Sequence, residues 1–292
     1  MLRFGFPLLV CAVVCTLASA PLCGQTIRFE PGFDLTGTYV STPNEEITGN
    51  PLLVDYLGLP INDAARAWAL AWNPARLDAP EHQCEAHAVT YLYGGPGNLR
   101  IWEERDPQTE ALTAIRQYHS NYEQSRTIWM DGRPHPPEGA AHTWTGFSTG
   151  KWEGNILTVY TTHIKKGDAR RNGVPSSDEA TMVEHFIRNG DYLIRAGIVY
   201  DPIYLTEPLV KTRVFVKSTE EGQNWLYPCE YVEEVSGRKR GAVPSYMPGE
   251  NPFLTEFADQ IHVPHEAVLG GAETMYPEYR LRMKNLAAAG SK

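Results

Sequence analysis

Four histidines, His135, His142, His163 and His185, fall within about fifty residues of sequence. Imidazole is the side chain whose charge changes nearest neutral pH, so a cluster of this kind invites acid–base chemistry. The stretch that opens the cluster is densely polar: Asp131-Gly132-Arg133-Pro134-His135-Pro136-Pro137, then His142-Thr143-Trp144. Its prolines restrict φ and hold the loop extended, which presents Arg133 and His135 in fixed positions. Alternation in the neighbouring segments sorts further side chains by face. In 181–188, Val183, His185 and Ile187 share one face and Met182, Glu184 and Phe186 the other; in 156–164, Leu157, Val159, Thr161 and His163 lie together. A glutamate among apolar neighbours needs a partner or a raised pKa, and Arg195 in the next segment is placed to be that partner. The chemistry these residues could do is proton transfer. His163 or His185 would act as base and Glu184 would orient a histidine, while Arg133 binds an anionic or carbonyl group beside Asp131, His135, His142 and Trp144. Each residue also has a plainer reading, as a satisfied core histidine or a structural ion pair, and both readings stay open.

Other chemistries are argued against. No histidine has ligand spacing such as His-x-His or His-Glu-x-x-His, so the signal for a metal is weak and no cofactor is expected. Gly146-Phe147-Ser148-Thr149-Gly150 matches the Gly-x-Ser-x-Gly pattern, but Lys151-Trp152-Glu153-Gly154 and another strand follow it. A nucleophile elbow requires strand, turn and helix, which disfavours Ser148 as a hydrolase nucleophile. Phosphate loops and dinucleotide fingerprints are absent. Net charge is −9, and the basic residues mass only at Arg238-Lys239-Arg240, so nucleic acid is a poor partner. With 42% hydrophobic residues the chain can build a sizeable core.

The N-terminus carries one positive charge at Arg3, an uncharged apolar run from Phe6 to Ala20, and small residues at Ala18, Ser19 and Ala20. These are the parts of a secretory signal, and the run falls short of the roughly 20 apolar residues a membrane span needs. Pro21 disfavours a cut directly after Ala20, so cleavage is expected after Ala18 or near Gly24. Ala20-Pro21-Leu22 lacks the small residue that lipidation at Cys23 would call for. No later segment reads as a membrane span, and a periplasmic or secreted location is expected. Three of the five cysteines lie in or beside the signal, leaving Cys84 and Cys229. In an oxidising compartment such a pair implies a disulfide, the rival being two separate buried thiols.

The elements that must position these residues read as mainly β. A turn followed by a short strand is expected within 33–40. Asn62 caps a helix over 62–72 that Pro74 stops. From Leu99 the period becomes two, with strands expected at 99–104, 111–118, 125–130, 156–164, 181–188, 192–200, 209–217 and 224–234. Turn residues such as Asp131-Gly132, Glu153-Gly154-Asn155 and Asn189-Gly190-Asp191 separate them. This predicts an antiparallel meander, closed into a barrel or folded as a sandwich, with closure favoured because it removes exposed edges. The organisation expected is a signal (1–24), an N-terminal strand and helix on the barrel (25–98), the meander core (99–243) and a C-terminal extension (244–292). In the extension a helix over 277–288 would pack Tyr279, Leu281, Met283 and Leu286 on the barrel wall.

Four blocks carry a resemblance: Asp34-Leu35-Thr36-Gly37-Thr38-Tyr39, Trp129-Met130-Asp131-Gly132-Arg133-Pro134-His135-Pro136, Gly146 through Asn155, and Asp201-Pro202-Ile203-Tyr204-Leu205-Thr206-Glu207-Pro208. They resemble the recurring blocks of a large group of exported bacterial proteins of unknown function. Tyr39 stands where the usual block has Trp, and Asn155 where it has Asp. The resemblance implies export and a β-rich, lipocalin-like fold, and it lends no catalytic residue.

Three functions follow from these readings. The first is an exported enzyme of lyase, hydratase or isomerase type, using acid–base groups without a cofactor on a small molecule. The second is a barrel that binds an apolar or aromatic ligand, lined by Trp102, Trp129 and Trp144. The third is a structural partner in the envelope. Oligomeric state is not legible in the sequence.

Overall fold

The computed structural model describes residues 34–42, 52–79, 82–95, 97–219, 229–232, 239 and 241–290. The signal segment and most of the strand expected at 224–234 lie outside them; residues 229–232 form no strand.

Nine strands close into a barrel: β1 (Gly37–Ser41), β2 (Leu99–Arg105), β3 (Leu112–His119), β4 (Gln124–Trp129), β5 (Phe147–Glu153), β6 (Ile156–Thr162), β9 (Thr181–Asn189), β10 (Tyr192–Tyr200) and β11 (Leu209–Lys217). Their order around the wall is β1-β11-β10-β9-β6-β5-β4-β3-β2, and β2 pairs back to β1. Closure decides between the two expected architectures in favour of the barrel. The meander is interrupted twice. Residues 130–146 carry the chain away after β4, so β5 returns parallel to it and pairs only at Ile128–Ser148 and Trp129–Thr149. Between β6 and β9 the chain makes a separate hairpin of β7 (Gly167–Arg170) and β8 (Val174–Ser176).

Helix α1 (Asp63–Leu70) begins as its cap predicts, with the Asn62 side-chain oxygen accepting from Ala65 N at 3.0 Å. Short helices follow at α2 (Val89–Leu92), α3 (Glu256–Gln260) and α4 (His265–Val268), then α5 (Pro277–Gly290). The packing expected of α5 on the barrel wall is not seen: Leu281 is 61% exposed and Leu286 36%. At 100° per residue Leu281 lies on the far side of the helix from Tyr279, so the four apolar positions form no single stripe. Tyr279 is anchored, its hydroxyl donating to Ala267 O at 2.9 Å. The start of the extension is fixed instead to α1, through Tyr246 N to Ala71 O at 2.9 Å and Asn251 Nδ2 to Leu70 O at 2.9 Å.

The barrel centre is filled by side chains. Leu99, Ile101, Ile115, Ile128, Leu157 and Phe186 are buried within it. Toward the β3–β4 turn the filling becomes polar, with Gln117, His119, Arg126, Thr161, Glu184 and Arg195 all buried. Tyr93, just beyond α2, reaches this end: its hydroxyl donates to Gln117 Oε1 and accepts from Arg126 Nη1 at 2.8 Å.

Candidate functional site

The residues singled out in the sequence separate into three places. Glu184 points into the barrel, where Arg126 Nη2 and Arg195 Nε, the latter at 2.8 Å, donate to its two oxygens. Burial by itself would push this carboxyl up, but the two guanidinium groups outweigh it and hold the pKa below the usual value. His185 lies on the outer wall, with Nδ1 3.2 Å from Thr158 Oγ1. Alternation puts these neighbours on opposite sides of the sheet, so Glu184 does not orient His185. Trp102 and Trp129 likewise face outward. Arg100 lies 5.7 Å from the Trp102 ring and Arg133 3.5 Å from that of Trp129, so neither indole lines the barrel.

The loop residues do come together, but they satisfy one another. Arg133 Nε donates to Asp131 Oδ1 at 2.9 Å. His135 is held between the hydroxyls of Thr162 (2.7 Å) and Thr149 (2.9 Å). Burial and the nearby His163 lower its pKa. His163, at a left-handed φ of 55°, has Nδ1 2.8 Å from Thr162 Oγ1 and Nε2 3.0 Å from Pro137 O. His142 Nδ1 lies 3.0 Å from Ile164 O, and the rings of His142 and His163 are 5.2 Å apart. They border a broad, open hollow shared with Glu138, Asp178 and Glu179. Both nitrogens of His163 are thus engaged by the protein itself, which leaves the expected base no free lone pair toward this hollow.

Trp144 leads elsewhere. With Trp68, Trp72 and Tyr122 it walls a cleft of about 310 Å³ whose polar side chains are Arg76, His82, Glu85, His87, Lys166 and Asp168. Trp68 and Trp72 stand one helical turn apart, on α1 and just beyond it. Trp72 is pinned from behind by Gly173, at a left-handed φ of +87°, where an added Cβ would fall 2.4 Å from Trp72 Cβ. His82 and Glu85 bracket Cys84, which is bonded to Cys229, and His82 Nδ1 lies 2.9 Å from Glu85 Oε2. His87 is fixed through its backbone. Its N donates to Gln124 Oε1 at 2.8 Å, and its carbonyl accepts from Gln124 Nε2 at 2.7 Å.

Asp168 sits on β7, which the neighbouring residues clamp on both sides. Arg170 Nη1 donates to Asp55 O at 2.7 Å, and Lys211 Nζ reaches from the barrel to Ala169 O at 2.6 Å. Asp168 keeps some surface open to the cleft and is otherwise enclosed. Burial pushes its carboxyl up to about 6; Arg76 and His82 pull down and Glu85 pushes up. No hydrogen-bond donor among the described residues reaches its oxygens. His87 is pushed the other way, to about 4, by burial and by Arg171, which keeps its imidazole neutral at physiological pH. Lys166 lies with Nζ 4.1 Å from the Trp68 ring centre. The cleft therefore offers an unpartnered carboxyl that titrates near neutrality, a neutral imidazole and two cations, against aromatic walls.

Of these residues the sequence singled out only Trp144 as part of a site. The available signals were Trp68 and Trp72 at helical spacing and the run His82-Gln83-Cys84-Glu85-Ala86-His87. Among the described residues, no three His, Cys, Asp or Glu side chains converge as a metal would require, and no helix is long and apolar enough to cross a membrane.

No family model and no curated protein matches the chain. Among solved structures, a mutant of the fluorescent protein UnaG is similar at a TM-score of 0.30 and 9% identity, over 64% of this chain and 97% of that one. A likeness this slight says nothing about ligand or chemistry.

Proposed function

We propose that this is an exported protein that carries out acid–base chemistry on a small molecule held in the tryptophan-walled cleft, with Asp168 as the base. The observation that carries the reading is Asp168 itself: a half-buried carboxyl lining the cleft, which no hydrogen-bond donor among the described residues reaches and which burial pushes up to about 6. A carboxyl so placed is mostly ionised at pH 7 and yet basic enough to take a proton from a bound substrate. Arg76 and Lys166 would stabilise negative charge developing on that substrate, Asp168 would return the proton it has taken, and His87, neutral, would serve as a hydrogen-bonding group. Lyases, hydratases and isomerases need these parts and no organic cofactor. Export is supported by the signal-like N-terminus and by the Cys84–Cys229 bond, which belongs to an oxidising compartment.

The test is the pH profile of turnover in wild type and Asp168→Asn. Because the ionised form is active, the wild-type rate should rise with pH through about 6 and level above it. The Asn variant should lose at least about a hundredfold, the range typical of a positioned base. Turnover that survives in Asp168→Asn and disappears in His163→Ala would move the chemistry back to the histidine loop. The three indoles favour a second reading, a binding protein without turnover; Asp168→Asn would then change affinity alone.

A further inference from the structure

We infer that the ligand class of this cleft is a neutral carbohydrate, a sugar ring stacked on the indoles and hydrogen-bonded through its hydroxyls. The inference rests on the cleft being the functional site and adds to it the identity of what fits there. Three features of the cleft select among ligand classes. The first is charge balance: the cations Arg76 and Lys166 stand against the carboxyls Glu85 and Asp168, and His82 is already tied to Glu85 at 2.9 Å. An organic cation would favour a net-negative aromatic box and an organic anion a net-positive one; this cleft is neither.

The second is the density of polar groups. A flat aromatic ligand would leave several of them desolvated and unpaired, at a cost to binding. A ring carrying hydroxyls, each both donor and acceptor, satisfies carboxylate, guanidinium, ammonium and imidazole together. Asp168, half-buried and with no donor among the described residues, is a group that such a hydroxyl can serve. The third is shape. Trp68 and Trp144 are the indoles with exposed surface at the cleft, Trp72 being nearly buried behind them. Lys166 and Lys165 lie near their rings at 4.1 and 5.0 Å, flexible side chains that a pyranose C–H face would displace. About 310 Å³ lies at the small end of ligand sites, suited to one or two sugar rings.

The experiment is a tryptophan-fluorescence titration of the full mature chain. One arm uses neutral sugars: glucose, galactose, mannose, maltose and cellobiose. Three comparison arms use indole, choline and benzoate. At least one sugar is expected to give a saturable change at millimolar concentration or below. Its affinity should weaken about tenfold or more in Asp168→Asn and in Trp144→Ala, the first of which keeps side-chain size should the second fold poorly. No saturation by any sugar overturns the inference, as does sugar binding that both variants leave unchanged. If indole, choline or benzoate saturates instead and Asp168→Asn weakens it, the sugar class fails while the cleft stands as the functional site. If no arm saturates and Asp168 titrates as an ordinary aspartate, the functional reading fails with it.

Discussion

Two carboxylates in this molecule show how environment assigns roles to similar side chains. Glu184 is buried with two guanidinium donors and is held ionised, a structural charge. Asp168 is half-buried, meets no donor among the described residues and is pushed up to about 6, where it can exchange protons. The sequence could suggest that Glu184 was buried and that Arg195 faced it. It could not reveal Arg126, which reaches Glu184 from across the barrel and is 58 residues distant in the chain. Removing the negative partner should leave two buried arginines uncompensated. Glu184→Gln is therefore expected to lower unfolding stability by about 3–5 kcal/mol, read from urea denaturation. A loss under about 1 kcal/mol would mean that water or another anion already serves these guanidinium groups.

The elements were legible where one physical period governed them. Strands from Leu99 onward alternate and are separated by Gly, Asn and Asp turns, so most of the barrel wall could be read directly, though no strand was expected where β5 (Phe147–Glu153) lies. Hairpin β7–β8 could not: Gly167-Asp168-Ala169-Arg170 has no apolar alternation, only Ala169 of the four is buried in the core, and polar contacts from Arg170 to Asp55 and from Lys211 to the Ala169 carbonyl add to its hold. The cleft was illegible for a related reason. Its walls come from residues 68–76, 82–88, 122, 144 and 166–168, segments that only tertiary packing brings together. Two devices hold those segments, and both can be tested. Gly173→Ala would drive a methyl into Trp72, so it should shift the tryptophan fluorescence of the folded protein and lower its stability by about 1–3 kcal/mol. The Cys84–Cys229 bond closes a loop of 145 residues beside His82 and Glu85. Replacing both cysteines by serine should cost about 3–5 kcal/mol by the chain-entropy argument, measured by the denaturant midpoint. An unchanged midpoint would show that the surrounding contacts already fix that segment.

At the scale of the whole molecule, buried titratable groups pull stability in opposite directions. His87 and His119 are held at about 4 and about 3, below the ordinary imidazole value of 6.5. Their contribution is present above pH 6.5 and is lost as pH falls through that window, because the unfolded chain takes up protons that the native state refuses. Asp168 acts the other way. Its folded pKa of about 6 lies above the ordinary aspartate value of 3.8, so the native state binds a proton that the unfolded chain releases, and stability falls as pH rises through that range. Near pH 5 the two histidines favour proton uptake by the unfolded state and Asp168 favours uptake by the native, so stability should rise with pH more steeply in Asp168→Asn than in wild type, by up to about 1.4 kcal/mol per pH unit. Above pH 6 the variant should be the more stable protein, a cost of the kind that functional sites place on the fold. Equal slopes in the two proteins would remove that cost from Asp168.

The most direct measurement is a carbon-13 NMR titration of the aspartate side-chain carboxyls in the folded wild-type chain and in Asp168→Asn. One carboxyl with a midpoint near 6, absent from the variant, is the result expected of a base poised at the floor of the tryptophan cleft. If every aspartate titrates near or below the ordinary value of about 3.9, Asp168 is an unremarkable surface acid and the cleft loses its chemistry.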